Sequence, residues 1–164
     1  MYSVYQLSAD EQQRLLKLFQ PRYAKTYADH VTVRFGGSDI PLPEPVRQME
    51  IIGRADDNHG LEALVVRVNG SLGRADGKIY HMTWSLNPEA SPPPEIDPNP
   101  QARYKPVHSN ALICGLIDTN GERLIGPDMG WSFFKYDHPI PFQATPQVKY
   151  TSAELRQKKY LGRK

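Results

Sequence analysis

The stretch HVTVRF at residues 30–35 predicts a β-strand, because apolar and polar side chains alternate along it and two glycines follow it. A second stretch, HMTWSL at residues 81–86, alternates in the same way. Both begin with histidine, an apolar residue, threonine and another apolar residue. Because side chains alternate across a strand, each histidine shares a face with its threonine, about 7 Å away along the backbone. The other apolar side chains are expected on the opposite face, against a core: Val31, Val33, Phe35, Met82, Trp84 and Leu86.

Other segments predict an α+β domain with a mostly antiparallel sheet. Residues 8–19 predict an amphipathic helix, with Ser8 and Glu11 as a capping box. A proline-rich stretch at 87–107 predicts a long loop. Predicted strands outnumber helices, and many are joined by short turns, as in the α+β class. Further strands are predicted at 46–55, 61–68, 79–86 and 131–136, and a short helix from residue 152.

The length and charge of the chain limit the functions to consider. With 164 residues, it is expected to form a single domain, 1–164, with a hydrophobic core. A net charge of +2 permits an anionic ligand, but it is too small for a protein that coats nucleic acid. The single cysteine, Cys114, excludes an intrachain disulfide, and no Cys/His cluster has zinc-binding spacing.

Targeting signals are not evident in the sequence. The N-terminal residues show no basic segment followed by an apolar one, so no signal peptide is predicted. No apolar run approaches the 18 residues that a membrane span needs. We therefore expect a cytoplasmic protein without a membrane partner.

The two matched strands predict acid–base chemistry on a phosphodiester. If the strands are neighbours, His30, Thr32, His81 and Thr83 face one cleft. A neutral imidazole can take a proton from the attacking water while a protonated one gives a proton to the leaving oxygen. The threonine hydroxyls can donate hydrogen bonds to the non-bridging oxygens, whose negative charge grows in the transition state. This chemistry needs no metal and no cofactor, and the sequence does not say which histidine is the acid.

The paired motif resembles that of the two-histidine phosphoesterases. The segment Lys105–Leu112, with sequence KPVHSNAL, is similar to the stretch that follows the second motif in the cyclic phosphodiesterase domains of tRNA ligases. The residues 27–30, YADH, also resemble the approach to the first motif. Membership of this family implies a two-lobed antiparallel fold with a central cleft, each lobe supplying one His-x-Thr strand, and metal-independent hydrolysis or ligation of cyclic phosphates.

Several functions remain open. The resemblance implies hydrolysis of 2′,3′-cyclic phosphates on RNA ends or a nucleotide first. Hydrolysis of cyclic oligonucleotide messengers comes second, as in phage proteins that defeat bacterial immune signalling. A non-catalytic RNA- or nucleotide-binding module is an alternative from another class, and a structural domain that binds a partner through its proline-rich loop is a further one.

Four more residues are candidates for substrate binding. Arg34 is expected on the strand face of His30 and Thr32, where it would steer a phosphate. Tyr5 and Tyr27 offer rings on which a base can stack. Lys105 would approach the cleft with the ligase-like segment. A basic C-terminal tail is expected to be solvated rather than to bind.

Overall fold

The α+β class predicted from the sequence is confirmed. The computed structural model describes residues 1–37, 39–90, 99, 108–126 and 129–161. Within these ranges the chain forms eight strands and three helices. The strands are β1 (Tyr2–Gln6), β2 (Lys25–Thr26), β3 (His30–Phe35), β4 (Met49–Asp56), β5 (Leu61–Val68), β6 (His81–Leu86), β7 (Ser132–Phe142) and β8 (Thr145–Lys149), and the helices are α1 (Ala9–Leu18), α2 (Ser109–Cys114) and α3 (Ser152–Leu161).

The strands form two antiparallel sheets, and the two His-x-Thr strands belong to different ones. The small sheet has the order β3-β1-β8, and the large sheet has the order β2-β6-β5-β4-β7. Every pairing between neighbouring strands is antiparallel. Strands β3 and β6 are in contact where the sheets meet. The histidine motifs are therefore brought together by the packing of sheets, not by pairing within one sheet.

Two hydrophobic cores cover the two faces of the large sheet. The first core joins one face to α1 and to the small sheet, which contributes Tyr5 and Val31. The second core lies on the other face under α2, with Leu112 and Ile113 buried against the sheet. Within β6, Met82 and Trp84 point into the first core. His81 and Thr83 therefore extend on the face of the second core, because neighbours on a strand alternate.

Helix α1 begins where the sequence predicts. The Ser8 hydroxyl accepts a hydrogen bond of 3.1 Å from the backbone N–H of Glu11, which satisfies one free donor at the helix start. Only half of the predicted capping box forms, because the Glu11 carboxylate instead binds Arg14 and the backbone of Gln143. Leu15 is buried in the first core and anchors the helix.

A buried carboxylate attaches the segment after α1 to the large sheet. Glu62, on β5, is completely buried. One of its oxygens accepts hydrogen bonds from the Ser85 hydroxyl (2.6 Å) and the Arg22 backbone (2.7 Å), and the other binds Arg54 at 2.6 Å. A buried charge is costly unless it is fully paired, and here both carboxylate oxygens of Glu62 have partners that offset this cost. This network holds the residues that lead into β2, which pairs with β6 at the edge of the large sheet.

Some elements differ from the prediction. Strands β1 and β8 were not predicted, and β7 extends to Phe142, beyond the predicted end at 136. The predicted C-terminal helix is confirmed as α3. Most of the predicted loop at 87–107 lies outside the described residues, as do Lys105 and the last three residues of the basic tail. No helix in the described part of the chain is long and apolar enough to cross a membrane.

Candidate active site between the two sheets

A pocket opens where β3 meets β6. It has a volume of about 380 Å³, which is in the usual range for small-molecule sites. The first His-x-Thr pair reaches it from the small sheet and the second pair from the large sheet. We call it the two-histidine pocket; its described lining residues are Lys25, Thr26, Tyr27, Asp29, His30, Thr32, His81 and Thr83.

His30 is a half-buried imidazole with a carboxylate partner. Its Nδ1 lies 3.0 Å from Oδ2 of Asp29, the preceding residue. Because the carboxylate accepts a hydrogen bond, the Nδ1 nitrogen carries the proton and Nε2 is left for the pocket. When Nε2 is also protonated, the Asp29 charge compensates the positive ring. This orientation by a carboxylate is familiar from catalytic histidines.

Asp29 is itself held in place by two further donors. The Lys149 ammonium lies 2.9 Å from Oδ2, and the Gln6 amide donates a hydrogen bond of 2.8 Å to Oδ1. Partial burial alone would raise the pKa of Asp29, but the hydrogen bonds from His30, Lys149 and Gln6 outweigh it and lower this pKa to about 2. The carboxylate is therefore ionised throughout the physiological range.

His81 has a different environment. It is 9% exposed, and its Nδ1 donates a hydrogen bond of 2.8 Å to the backbone carbonyl of Ile79. Burial lowers the pKa of His81 to about 4, and the nearby charges of Arg74 and His30 act in the same direction. The bond to Ile79 opposes this shift but does not cancel it. At neutral pH the ring is uncharged, with the Nε2 lone pair free to accept a proton.

The two threonines also differ. The Thr83 hydroxyl lies 2.9 Å from the hydroxyl of Ser109, which is buried at the start of α2. When Ser109 donates this hydrogen bond, the Thr83 proton is available to a ligand. The Thr32 hydroxyl has no hydrogen-bond partner among the described residues. Both hydroxyls line the pocket and can donate to an anionic ligand.

A β-bulge in β3 removes Arg34 from the pocket. Thr32 and Arg34 pair with the consecutive residues Val4 and Ser3, so Val33 is an extra residue in the strand. Because cross-strand partners share a face and Ser3 and Val4 point to opposite faces, Arg34 lies opposite Thr32. The prediction that Arg34 shares the face of His30 and Thr32 is therefore wrong, and Arg34 does not line the pocket.

A second bulge occupies the matching position of β6. Thr83 and Ser85 pair with consecutive residues of β5, so Trp84 is the extra residue. As a result Leu86 returns to the face of Thr83, and Phe35 likewise returns to the face of the first motif. Both were expected in a core. Phe35 is instead 68% exposed, whereas Leu86 packs against the second core rather than the first and also lines a further pocket described below.

Tyr27 lines the two-histidine pocket, and the ring of Tyr2 lies beside that of His30, another lining residue. The ring centroid of Tyr2 is 6.1 Å from that of His30 and 5.7 Å from that of Phe35. The ring of Tyr27 lines the pocket, with the Lys25 ammonium 5.2 Å from its centroid. These faces are available for stacking with a base.

Tyr5 is a second predicted substrate-binding residue that does not line the pocket. Tyr5 is 5% exposed, packs in the first core and donates a hydrogen bond of 2.9 Å to the carbonyl of Glu44. Its ring therefore serves packing, which corrects the expectation that it stacks on a base. Lys105 is outside the described residues. Of the three candidates that the structure describes, Tyr27 is the one that lines the pocket.

Sequence reasoning missed Asp29, Lys25 and Ser109. Asp29 directly precedes the first histidine, and its acidic side chain was the available signal. Ser109 lies in the ligase-like segment, but the sequence alone does not show that its hydroxyl reaches that of Thr83. Lys25 carried no signal, because its position depends on the attachment of β2 to β6. Among the described residues, no three His, Cys, Asp or Glu side chains are grouped so that they could hold a metal ion.

Comparisons with known proteins identify no relative. No protein-family model, curated protein or solved structure matches the chain significantly. The chemistry of the pocket is therefore argued from its geometry. One imidazole is neutral and buried, the other is paired with a carboxylate, and two hydroxyls lie beside them, an arrangement able to take a proton, give a proton and bind an anion.

Proposed function

We propose that this chain is a two-histidine phosphodiesterase that hydrolyses a cyclic phosphodiester of RNA or of a small nucleotide without a metal ion. The observation that carries the proposal is the pocket that the His30–Thr32 and His81–Thr83 pairs line together. Each pair comes from a different sheet, which supports a two-lobed arrangement with one motif in each lobe. The family resemblance of the two motifs adds to this support.

The environments of the two histidines favour a division of roles. His81 is the general base, because burial keeps its ring neutral and its Nδ1 proton is already donated to a carbonyl. His30 is the general acid, because the Asp29 carboxylate compensates the charge of the doubly protonated ring. This assignment goes beyond the sequence, which gives no basis for telling the two apart.

The reaction then follows a balanced proton path. His81 Nε2 takes a proton from a water molecule while the oxygen of that water forms a bond to phosphorus. The bond from phosphorus to the leaving ribose oxygen breaks, and His30 Nε2 gives its proton to that oxygen. Thr32 and Thr83 donate hydrogen bonds to the non-bridging oxygens as their charge increases. His81 then releases its extra proton to solvent and His30 takes one up, which restores the starting state.

The substrate is proposed from the resemblance and from the pocket together. The ligase-like segment favours 2′,3′-cyclic phosphates, and cyclic oligonucleotide messengers are the alternative. Lys25 at the pocket and the exposed rings of Tyr27 and Phe35 suit a nucleotide of either kind. Both substrates require the same acid–base pair.

The test is turnover of cyclic phosphates in the presence of EDTA, read by mass spectrometry. We expect hydrolysis by the purified protein and a loss of about 10²–10⁴-fold in His30→Ala and in His81→Ala, since each removes one proton-transfer group. Thr32→Val and Thr83→Val, which keep the side-chain shape, should cost less. His138→Ala is the matched control, because it removes an exposed histidine of β7 that does not line the two-histidine pocket.

Two outcomes would contradict the proposal. Full activity in either pocket-histidine variant would end the role of that residue. Tight binding of a cyclic phosphate without any turnover would instead support a non-catalytic nucleotide-binding module.

A further inference from the structure

We infer that a second pocket beside the two-histidine pocket binds a nucleoside joined to the reacting phosphate, so that the substrate carries nucleosides on both sides of that phosphate. We call it the side pocket. The inference rests on the proposed function and deepens it. It assigns a role to residues that the chemistry of the first pocket does not use.

The side pocket is continuous with the two-histidine pocket. Tyr27, His81 and Thr83 line both, so these three side chains form a shared wall. The side pocket has a volume of about 350 Å³, close to that of its neighbour. A phosphate held between His30 and His81 therefore has ligand-sized space on two sides. The remaining described residues of the side pocket are Leu61, Leu86, His108, Ser109 and Asn110.

The walls of the side pocket suit a base. Leu61 and Leu86 supply an apolar surface, and they face each other across β5 and β6 as a cross-strand pair. Asn110 lies at the same pocket, and its side-chain oxygen is buried without a hydrogen-bond partner among the described residues. As a lining residue, Asn110 brings a side-chain amide to the pocket, a group that can form a hydrogen bond with the edge of a base. Apolar walls with a few polar groups are typical of ligand pockets.

Ser109 connects the side pocket to the chemistry. Its side chain lines the side pocket, and its hydroxyl lies 2.9 Å from that of Thr83. A nucleoside in the side pocket therefore contacts the residue that orients the Thr83 proton toward the phosphate. Occupation of this pocket thus affects the binding of the transition state as well as of the ground state.

This geometry distinguishes between the two proposed substrates. A 2′,3′-cyclic phosphate joins two oxygens of one ribose, so it has a nucleoside on one side and water on the other. A 3′–5′ phosphodiester in a cyclic oligonucleotide joins two riboses. With the latter, His81 takes the proton of water, the new oxygen–phosphorus bond forms, and His30 protonates the ribose oxygen as its bond to phosphorus breaks. The described lining of the side pocket includes His81 and not His30, so this pocket holds the nucleoside that keeps its bond to phosphorus, while the released ribose departs on the side of His30.

The experiment compares two adenine substrates across variants of the side pocket. The probes are 2′,3′-cyclic AMP, with one nucleoside, and 3′,3′-cyclic di-AMP, with two. We expect wild-type protein to cleave cyclic di-AMP with the higher kcat/KM. Asn110→Ala and His108→Ala should each lower kcat/KM for cyclic di-AMP by about tenfold, the effect of one lost hydrogen bond or contact, while leaving that for 2′,3′-cyclic AMP within about twofold. His138→Ala should change neither.

Other outcomes separate failure of the inference from failure of the proposed function. Turnover of 2′,3′-cyclic AMP alone, or equal losses on both probes, keeps the hydrolase and overturns the side pocket as a nucleoside site. If neither probe is cleaved, the proposed function fails, and titration of wild type and Asn110→Ala with cyclic di-AMP decides the inference. Weaker binding by the variant supports it, and equal or absent binding overturns it.

Discussion

The two His-x-Thr strands have the same sequence pattern but opposite electrostatic environments. In β3, His30 is half-buried and faces a carboxylate that two further donors hold in place. In β6, His81 is buried, its Nδ1 is bound to a carbonyl, and its pKa is lowered to about 4. The comparison teaches that a repeated motif need not give repeated chemistry. The sheet that each strand joins decides whether its imidazole lies beside a carboxylate or is kept neutral by burial.

The strands also share a feature that the pattern alone does not reveal. Each has a β-bulge at the residue directly after its threonine, Val33 in β3 and Trp84 in β6. Bulges are common beside active sites, where they change the direction of side chains. Here they turn the third residue after each threonine back toward the site, which places Phe35 and Leu86 on the motif faces.

The largest expected effect tests the division of roles between the histidines. An aryl phosphodiester with a p-nitrophenolate leaving group needs no proton to depart, so it does not depend on a general acid. We expect His30→Ala to lose about 10²–10⁴-fold on a ribose substrate and much less on the aryl ester. His81→Ala should lose that amount on both. Steady-state rates of both variants on the two substrates test this assignment. If His81→Ala, rather than His30→Ala, regains activity on the aryl ester, the roles of the two histidines are reversed.

The buried histidine should also make stability depend on pH. Because burial lowers the pKa of His81 to about 4 from 6.5, the unfolded chain binds this proton more readily than the folded one. Stability is therefore lost as the pH falls from about 6.5 to about 4, by up to about 3 kcal/mol. Urea unfolding at several pH values should show this loss in wild type and in Thr83→Val, but not in His81→Gln. An unchanged pH dependence in His81→Gln would contradict the neutral, buried state of the ring.

A smaller loss is expected when the carboxylate partner of His30 is neutralised. Asp29→Asn should lower kcat/KM by about 10–100-fold, less than in deeply buried triads because this carboxylate is partly solvated. Lys149→Met is the matched control, since it removes another partner of Asp29 and leaves the bond to His30. The two variants are compared by kcat/KM on a ribose substrate. Equal losses would assign Asp29 to local packing instead of orientation of the ring.

The smallest effect concerns the threonines. Ser109→Ala removes the partner of the Thr83 hydroxyl, and a neutral hydrogen bond contributes about 1 kcal/mol, or about fivefold in rate. The loss should vanish in a Thr83→Val background and persist in Thr32→Val. A double-mutant cycle measures this coupling. Additive losses with Thr83→Val would show that Ser109 acts independently of Thr83.

The periodicity of the chain predicts much of the local structure. Helix α1 and strands β3 to β6 follow from alternation, capping and turn signals, because their buried faces are continuous. Strand β1 was missed, although it is the centre of the small sheet. Its short, mixed sequence becomes a strand through pairing on both sides, which is a tertiary effect.

The sequence predicts the site only where the positions of side chains follow from their simple alternation along a strand. Alternation placed each histidine with its threonine, but a register shift of one residue moved Arg34 away and brought Leu86 in. No local pattern specified these bulges, because they arise in the pairing of distant strands. A motif search for similar sites should therefore examine the third position after the threonine rather than the second.

The buried Glu62 has a consequence for how mutations in this protein are interpreted. It touches neither pocket, yet it holds the Arg22 backbone and so the segment that carries Lys25 and Tyr27. In a mutational scan scored by activity alone, position 62 would rank beside the histidines and be mistaken for part of the catalytic apparatus. Scoring abundance in parallel would separate it, since loss of this anchor lowers the amount of folded protein before it affects any proton transfer.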